Sequence, residues 1–453
     1  MAADQKITEV VDFNPPRAIK RGTVAPFVDM AALPENQRDI AYVSEREFSG
    51  GGARFQNGDT LFARITPCLE NGKTAKVDVL PAGSIAHGST EFIVMAAKAP
   101  EYDEDYIYYL ARHPEFRAFA EARMEGTSGR QRVSWQVLSD FSFSFPPPNQ
   151  RKIIGSILRK LDDKIGLNRR INQTLSAMAQ AIFKSWFVDF DPVKAKIAAI
   201  EQGQDPLRAA MRAISGKTDA ELDQMPREHH NQLAATAALF PDAMEESELG
   251  EIPKGWEVVS LYETANYLNG AAFRASDFSG AAEALPIIKI AELKQGVNSG
   301  TKRTLKEIDP KYQIKSGDVL YSWSGSPDTS LEVFRWFGVT GLLNQHIFKL
   351  SFSHAGQREY TYYLLKEIKP ILVATAKQKQ TTGLGHITVA DMKRIKVARP
   401  KISDLKNFTQ QLKRIYAATS ECEQQVMTLA ALRDILLPKL LSGELSPGFD
   451  SKL

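Results

Sequence analysis

The sequence predicts an α+β protein made of two similar globular domains, joined by two long antiparallel helices that form a coiled coil. Three observations support this prediction. The chain carries an internal pseudo-twofold repeat with a period of about 254 residues, each copy ends in a heptad seam, and the rest of each copy mixes short β-rich runs with one helix. At 453 residues, the chain also exceeds the size at which a single core normally stops growing.

The repeat is clearest around the predicted helix of each copy, at about 103–124 and 360–377. EDYIYYLARHPEFRAFAEAR begins at Glu104, and QREYTYYLLKEIKPILVATAK begins at Gln357. TSGRQRVSWQVL from Thr127 then aligns with TTGLGHITVADM from Thr381. Upstream, GDTLFARI pairs with GDVLYSWS and STEFIVM with QHIFKLS, with the small length changes typical of loops on a shared scaffold. Each pair is weak alone, but their common order predicts a duplicated domain.

Each copy ends in a segment whose seam residues recur at alternating steps of four and three, the pattern of helices packed lengthwise. The apolar seam residues of the first copy are Ile154, Leu158, Leu161, Ile165, Leu175 and Ile182. Those of the second copy are Phe408, Leu412, Ile415, Val426, Leu429 and Leu436. Asn168, Asn172 and Arg433 also occupy seam positions, where polar side chains can fix the register. The two seams most simply cover each other, although each helix could instead pack on its own domain.

Proline and charge mark the domain boundaries. PPPN at 146–149 and Pro400 precede the two long helices, because proline lets a new helix begin. Residues 188–251 hold 6 Lys/Arg and 13 Asp/Glu, whereas the rest of the chain holds 51 and 41. We expect this acidic insert to be a connecting segment that can hold a short helix. The predicted organisation is a first domain at 1–148, a central helix at 149–187, the insert at 188–250, a second domain at 251–402, a C-terminal helix at 403–444 and a tail at 445–453.

Composition favours a cytoplasmic protein with no membrane association. Only Cys68 and Cys422 could form a disulfide, which fits a reducing compartment. The N-terminus lacks a basic stretch followed by an apolar one, and no run of about 18 apolar residues occurs.

Two motifs suggest a methyltransferase, but their context argues against one. The tripeptide NPP at 14–16 would need a following aromatic residue to stack on an extruded base, and Arg17 stands there. The sequence FSGGG at 48–52 resembles a donor-binding glycine turn, yet SERE rather than a buried strand precedes it, and only 34 residues separate Asn14 from Phe48. We expect turns at both places, with Arg17 as a phosphate contact.

The sequence predicts no catalytic residue, no metal site and no cofactor. The loop ITPCLENGKT at 65–74 ends like a phosphate-binding loop, but Pro67 replaces its first glycine and no helical pattern follows. His229 and His230 lie in the acidic insert without further ligands at metal-binding spacing.

Polar loops that recur in both copies carry residue types that read nucleic acid. Arg and Gln can form two hydrogen bonds with a base edge, and Lys neutralises phosphate. Because the loops are duplicated, we prefer DNA contact to the alternative of a solvated basic loop. The candidates in the first copy are Arg64, Thr66, Glu70, Asn71, Lys73, Ser128, Arg130, Gln131, Arg132, Ser134 and Trp135. The candidates in the second copy are Ser322, Trp323, Ser324, Lys377, Lys379, Gln380, Thr381, Thr382 and His386.

Taken together, the repeat, the seams and the loops make the chain similar to the specificity subunit of type I restriction-modification systems over nearly its whole length. The most specific segments are RITPCLENGK, PPPNQRKI, IFKSWFVDFDPV, SELGEIPKGWEVVSL, LNQHIFKL and TTGLGHITVADMKRIKV. One segment departs from the family: RPKISDLKNF stands before the second helix, where members carry a Pro-Pro-Leu-x-Glu-Gln stretch.

The resemblance implies that each domain reads one half of a bipartite DNA site and that the helices act as a ruler between them. It implies no catalysis in this chain. Two methylation subunits supply the donor site and the catalytic Asn-Pro-Pro motif for adenine methylation, and motor-nuclease subunits add cleavage. The expected partners are therefore double-stranded DNA and these subunits. Two alternatives stay open: a self-contained DNA methyltransferase or nuclease with attached recognition domains, and a repeat scaffold that binds only proteins.

Overall fold

The chain forms two compact units. The computed structural model describes residues 4–127, 129–298, 300–379 and 383–446. Unit 1 comprises Met1–Arg169 and Gln425–Leu453, and unit 2 comprises Arg170–Gln424. Each of the two long helices therefore contributes one part to unit 1 and the other part to unit 2.

The elements before the insert are β1 (Gln5–Lys6), β2 (Val11–Phe13), β3 (Val24–Val28), β4 (Ser44–Glu47), β5 (Ala53–Phe55), β6 (Thr60–Ala63), β7 (Thr74–Lys76), β8 (Ala86–Gly88), β9 (Phe92–Ala97), α1 (Pro100–Ala111), α2 (Pro114–Glu121), α3 (Trp135–Leu138), β10 (Ser142–Phe143) and the long helix α4 (Pro148–Phe187). The insert and the start of the second copy contain α5 (Asp191–Glu201), α6 (Pro206–Ser215), α7 (Asp219–Asp223), α8 (Arg227–Ala238), β11 (Met244–Ser247), β12 (Gly250–Pro253), β13 (Glu257–Ser260), β14 (Asn266–Asn269), β15 (Leu285–Ile288), α9 (Ile290–Gln295), β16 (Arg303–Thr304) and β17 (Gln313–Ile314). The remaining elements are β18 (Val319–Ser322), β19 (Ser324–Gly325), α10 (Pro327–Ser330), β20 (Glu332–Arg335), β21 (Gly341–Leu343), β22 (Ile347–Ser351), α11 (Gln357–Glu367), α12 (Lys369–Gln378), β23 (Gly385–His386), α13 (Val389–Arg394), β24 (Lys396–Arg399), α14 (Leu405–Phe408) and the long helix α15 (Gln410–Leu441).

The first head, which is the part of unit 1 before α4, contains two four-stranded sheets. The first has the order β2-β9-β6-β7, with antiparallel neighbours. The second has the order β4-β3-β8-β5, in which only β3 and β8 are parallel. Successive side chains of a strand point to opposite faces, so Leu61 and Val94 enter the core shared with the second sheet. Phe62 and Ile93 enter the core formed with the helices. Burial on both faces explains the nearly continuous apolar runs TLFA and FIVMAA.

The second head, which extends from β13 to β24, repeats this arrangement strand for strand. Its sheets have the orders β14-β22-β18-β20 and β16-β15-β21-β17, and β15 and β21 form the parallel pair. Leu320 and Ile347 enter the core with the second sheet, whereas Tyr321 and Phe348 enter the core with the helices. The predicted α+β class and internal repeat are confirmed.

The helix predicted after the sheet of each copy is two helices in the structure. In the first head α1 ends at Ala111 and α2 begins at Pro114, with the His113 ring accepting a hydrogen bond from the backbone N–H of Glu115 at 3.3 Å. In the second head α11 ends at Glu367, and Pro370 lies in the first turn of α12. Proline has no backbone N–H and is tolerated in a first turn, so each position starts a new helix.

Parts of the long helices α4 and α15 run antiparallel within each unit. In unit 1, Arg433 contacts Asp162 at 2.6 Å and Asn168 donates to Gln425 at 2.9 Å. In unit 2, Asn172 donates to Glu423 at 3.0 Å, and the rings of Phe187 and Phe408 are 6.3 Å apart. Within each unit, residues later in α4 therefore contact residues earlier in α15. None of the twelve apolar seam residues predicted from the sequence is exposed.

The start of the second long helix differs from the prediction of one continuous helix at 403–444. A short helix, α14, ends at Phe408, and α15 begins at Gln410. Between them, the Thr409 hydroxyl donates to the Leu405 carbonyl at 2.8 Å. A hydroxyl that hydrogen-bonds to the preceding turn favours a local bend of the helix, and the backbone hydrogen bond from the Thr409 N–H to the Leu405 carbonyl is kept.

The acidic insert is a folded helical segment, so the expectation of a connection with one short helix is wrong. It has four helices, α5 to α8. The last three share a small core, and Val193 of α5 and Phe240 join the main core of unit 2. The residues of the small core are Ala210, Met211, Leu222, Leu233 and Ala237. Arg208 and Arg212 bind Asp219, which offsets part of the negative charge. These apolar faces are short and lie among many carboxylates, so they do not stand out in the sequence. Across the described residues, no helix combines the length and the apolar character needed to cross a membrane.

Candidate nucleic-acid interface

Two polar loops lie side by side in the first head. We call residues 64–73, which follow β6, the first A-loop, and residues 126–135 the first B-loop. The Val133 N–H donates to the Arg64 carbonyl at 3.0 Å, and the Thr66 N–H donates to the Gln131 carbonyl at 3.0 Å. In return, the Gln131 N–H donates to the Thr66 hydroxyl at 3.0 Å. Residues that are far apart in sequence are thereby held together in one surface.

The second head contains the same pair of loops. We call residues 322–324 the second A-loop and residues 377–386 the second B-loop. The Ile387 N–H donates to the Trp323 carbonyl at 2.9 Å, and Ser324 pairs with His386 in a short antiparallel ladder. Because β6 and β18 hold the same place in their sheets, Trp323 is the structural equivalent of Arg64.

A third segment fixes the start of each A-loop from the other side. The Arg64 N–H donates to the Glu91 carbonyl at 3.0 Å, and the Trp323 N–H donates to the His346 carbonyl at 3.3 Å. Sequence reasoning did not select Glu91 or His346 as site residues. The aligned segments STEFIVM and QHIFKLS carried the only signal that could have found them.

A cleft of 470 Å³ opens beside the first A-loop. Its wall combines the NPP turn, the glycine turn, the start of β9 and the end of the B-loop. The lining residues are Asn14, Pro15, Pro16, Arg17, Gly52, Ala53, Arg54, Arg64, Thr90, Phe92, Val94 and Trp135. Trp135 is 37% exposed and stacks on Phe13 with ring centroids 6.4 Å apart. The cleft therefore offers cationic, amide and aromatic groups on one concave surface.

The NPP and glycine motifs are turns, as predicted. Asn14 has a φ of 48°, and its side-chain oxygen accepts a hydrogen bond from the Val94 N–H at 2.9 Å. Gly52 has a φ of 90°, and a Cβ atom there would lie 2.1 Å from the Gly88 carbonyl oxygen. The strand β4 that leads into the glycine turn is exposed at all four positions. A buried strand, which the methyl-donor turn requires, is therefore missing at this place.

Several cations of the first head are already bound within the chain. Arg17 forms an ion pair with Asp59 at 2.5 Å and its side chain is only 10% exposed, so the expectation that it contacts phosphate is wrong. Arg132 forms hydrogen bonds with both carboxylate oxygens of Glu91, and this hydrogen bonding raises the pKa of Arg132. The Lys73 ammonium donates to the Met30 carbonyl at 2.9 Å. These contacts order the loops and reduce the free positive charge.

The cations of the second B-loop are paired in the same way. Lys377 contacts Asp328 at 2.7 Å on the surface. Lys379 contacts the buried carboxylate of Asp391 at 2.5 Å. The ring of Trp323 lies between two histidines, with centroid distances of 5.9 Å to His346 and 6.5 Å to His386. This head therefore presents an aromatic surface where the first head presents Arg64.

The candidate residues predicted from the sequence differ in accessibility. The exposed ones are Glu70, Asn71, Arg130, Trp135, Lys377, Lys379 and His386. The half-buried ones are Arg64, Lys73, Gln131, Arg132, Ser134, Trp323 and Ser324. Ser128, Gln380, Thr381 and Thr382 lie outside the described residues.

Three candidates have internal roles in the structure. Thr66 and Ser322 are buried, with 8% and 0% exposure, so their prediction as DNA contacts is corrected. The Thr66 hydroxyl holds the B-loop, and Ser322 ends the central strand β18. Ser134 caps α3 by accepting a hydrogen bond from the Val137 N–H at 3.3 Å, which leaves its hydroxyl a structural role.

The two heads and their loops coincide with a known sequence family. Residues 7–177 and 253–428 match the family described as "Type I restriction modification DNA specificity domain". The chain belongs to this family. Each matched range contains one head with its A-loop and B-loop, so both loop pairs lie in DNA specificity domains. The resemblance predicted from the sequence and the DNA-recognition role are confirmed.

Individual relatives agree with this assignment. The chain is 29% identical over 405 residues to the type I restriction enzyme HindI specificity subunit of Haemophilus influenzae, covering 86% of this chain and 87% of the relative. It is 22% identical over 349 residues to the MjaIX specificity subunit of Methanocaldococcus jannaschii, covering 75% of this chain and 69% of the relative. A crystal structure of the type I restriction-modification S subunit from M. genitalium aligns with a TM-score of 0.50 at 12% identity, over 97% of this chain and 96% of that chain. At that identity the structural match supports the fold alone.

Proposed function

We propose that each head of this specificity subunit reads one half of a bipartite, asymmetric site on double-stranded DNA. The chain itself is non-catalytic and uses no cofactor of its own. It directs adenine methylation by two methylation subunits and cleavage by motor-nuclease subunits. Because the complex acts on DNA inside the cell, we place it in the cytoplasm.

The observation that carries the proposal is the duplicated loop pair with different side chains. Arg64 and Trp323 occupy equivalent positions, and so do Arg132 and His386. A shared backbone scaffold allows both heads to approach DNA in the same way, because phosphate contacts position a protein on the duplex. Different side chains at the same positions then read different base pairs. This combination supports an asymmetric site.

The long helices support a fixed distance between the half-sites. The 40 residues of α4 make a rod of about 60 Å at 1.5 Å per residue. Half-site centres on one face of B-DNA are about 34 Å apart for each helical turn. The helices are therefore long enough to define a spacer of several base pairs that neither head contacts.

The role of Asn14 distinguishes the proposed function from that of a self-contained methyltransferase. The Asn14 side chain, which would hold the target base in such an enzyme, accepts a hydrogen bond from the Val94 backbone of β9. We expect the isolated chain to show no tight binding of S-adenosylmethionine in calorimetry. Tight binding would favour the enzyme alternative.

Methylation-sensitive sequencing of the host genome tests the function directly. Deleting the gene for this chain should abolish adenine methylation at one bipartite motif, and reintroducing the gene should restore it. A methylation pattern that does not change would contradict the proposal.

The affinity of the complex for duplex DNA at several salt concentrations tests the scaffold alternative. A scaffold that binds only proteins would show no salt-dependent affinity for DNA. In a DNA reader, each phosphate contact contributes about −0.9 to the slope of log affinity against log salt.

A further inference from the structure

The backbone of Arg64 is held on both sides. Its N–H donates to the Glu91 carbonyl and its carbonyl accepts from the Val133 N–H, both at 3.0 Å. These two segments come from different parts of the first head. Because the backbone is fixed in this way, the side chain has a defined starting position and direction, which a residue that reads bases requires.

The guanidinium of Arg64 is the cation at the cleft that lacks an internal partner. Arg17 is paired with Asp59, and Arg54 donates to the Arg17 carbonyl at 2.7 Å and lies over the Phe48 ring. The carboxylate of Glu91, whose backbone carbonyl accepts the Arg64 N–H, is bound by Arg132. Within the described residues, no carboxylate lies within 4.0 Å of Arg64, and its buried Nε atom has no hydrogen-bond acceptor.

An unpaired guanidinium at a half-enclosed position is suited to a ligand from outside the chain. Its Nε atom is enclosed, whereas the terminal nitrogens are not among the buried unpaired atoms. Arg64 lines the cleft together with Asn14, Thr90 and Trp135, so its terminal nitrogens are within reach of a ligand that enters the cleft. A planar guanidinium fork matches the O6 and N7 acceptors of guanine in the major groove.

The second head lacks this chemistry at the equivalent position. The indole N–H of Trp323 donates to the Asn269 side chain at 3.0 Å, so the donor of that ring is already used. The ring can contact apolar base surface but cannot form the two parallel hydrogen bonds of arginine. A guanine preference at this position should therefore belong to one half-site only.

We propose that Arg64 is a specificity-determining residue that reads one guanine in the half-site bound by the first head. This inference rests on the proposed function, because it assumes that the head reads DNA bases. The competing role for the same guanidinium is a phosphate contact, which would strengthen binding equally for all sequences.

The test uses the full chain co-purified with its methylation subunits and a duplex library in which each position of the site is randomised. Arg64→Lys keeps the charge but loses the planar fork, and Arg64→Ala loses both. Arg21→Ala, at an exposed arginine of the first head that lies outside both loops and does not line the cleft, is the matched control for loss of charge. Melting temperatures of the complexes check that the variants are folded.

Both Arg64 variants should relax the preference for guanine at one position of one half-site by about 5- to 150-fold, the discrimination of one arginine–guanine pair. Arg21→Ala should leave the base preferences unchanged. Uniform weakening across the library with Arg64→Ala, rescued by Arg64→Lys, would identify a phosphate contact and overturn the inference. Unchanged preferences with both variants would overturn it as well. A library without any preferred site for the unaltered chain would instead contradict the proposed function.

Discussion

Asp391 is a single buried carboxylate that joins the second B-loop to the head. Its side chain is 1% exposed and accepts hydrogen bonds from Lys379, Arg394 and Thr388. Burial alone would raise the pKa of Asp391, but the hydrogen bonds from Lys379 and Thr388 outweigh it and lower the pKa to about 2. The carboxylate therefore stays ionised in the folded head at pH values where an unfolded aspartate is partly protonated.

This pKa predicts how the stability of the chain depends on pH. Because the folded pKa lies below the unfolded value of 3.8, the stabilisation is present above about pH 4 and disappears as the pH falls towards 2. The pH-dependent part should amount to about 2 kcal/mol. Urea unfolding of the wild type and Asp391→Asn at several pH values measures it as a difference that shrinks below pH 4. Asp328→Asn, which removes an exposed ion pair, should change stability by less than about 1 kcal/mol. A constant difference at all pH values would contradict the assignment.

A buried charge network lies between the long helices in unit 1. Asp162 accepts hydrogen bonds from Arg433 at 2.6 Å and from the Tyr109 hydroxyl at 2.8 Å. Burial and the neighbouring carboxylate raise the pKa of Tyr109, so its hydroxyl remains a donor. One period of the repeat away, Tyr416 stands in place of Asp162 and Ala179 in place of Arg433. The two ends of the seam are therefore chemically different, which favours one register of the helices.

Removing one member of this network should destabilise the chain more than removing all of it. Arg433→Met leaves the Asp162 carboxylate buried without its cation, at a cost of about 3–5 kcal/mol. Replacing Tyr109, Asp162 and Arg433 together by Phe, Leu and Met should recover most of that loss, because an apolar cluster needs no counter-charge. Denaturant midpoints of both variants measure the effect. Lys152→Met, which removes an exposed ion pair of α4, is the control. A triple variant that loses as much stability as Arg433→Met would contradict this prediction.

The sequence predicted the features of helices and strands that depend on local periodicity. The seam residues could be predicted from their alternating steps of three and four. The runs TLFA and FIVMAA could be recognised because burial on both faces makes these strands apolar throughout. Contacts between distant segments could not be predicted in this way. Thr66 belongs to a loop with the composition of a contact loop, yet it is buried and its hydroxyl is hydrogen-bonded to Gln131, 65 residues away. Arg17 is neutralised by Asp59, which no local pattern connects to it.

The internal repeat made the organisation of the whole molecule predictable. Two weakly similar copies in the same order indicated two heads of one fold, and the strand orders agree. The acidic insert was less predictable, because helical faces made of Ala210, Met211 and Leu222 are too short to stand out against many carboxylates. The candidate site was predicted as pairs of loops that include Arg64, while the contacts that distinguish Arg64 from the other candidates are visible only in the structure.

At the scale of the whole molecule, the lengths of the two helices should set the spacer of the recognition site. Deleting residues 165–171 from α4 and 424–430 from α15 removes one heptad from each helix and keeps the facing pairs Asp162 with Arg433 and Asn172 with Glu423. The loss of seven residues shortens the rods by about 10 Å, which corresponds to roughly three base pairs of DNA. We expect methylation of a library with variable spacers to shift to sites shorter by about three base pairs.

The shifted sites should also be methylated less efficiently than the original ones. Three base pairs turn the half-sites by roughly 100° around the DNA axis, whereas one heptad turns the helices by only about 20°. Either the protein or the DNA must then twist to engage both heads, and that deformation costs affinity. Replacing the same fourteen residues by another heptad sequence of equal length is the control, and its preferred spacer should not change. A deletion variant that folds and retains the original spacer would show that the helices do not measure the site.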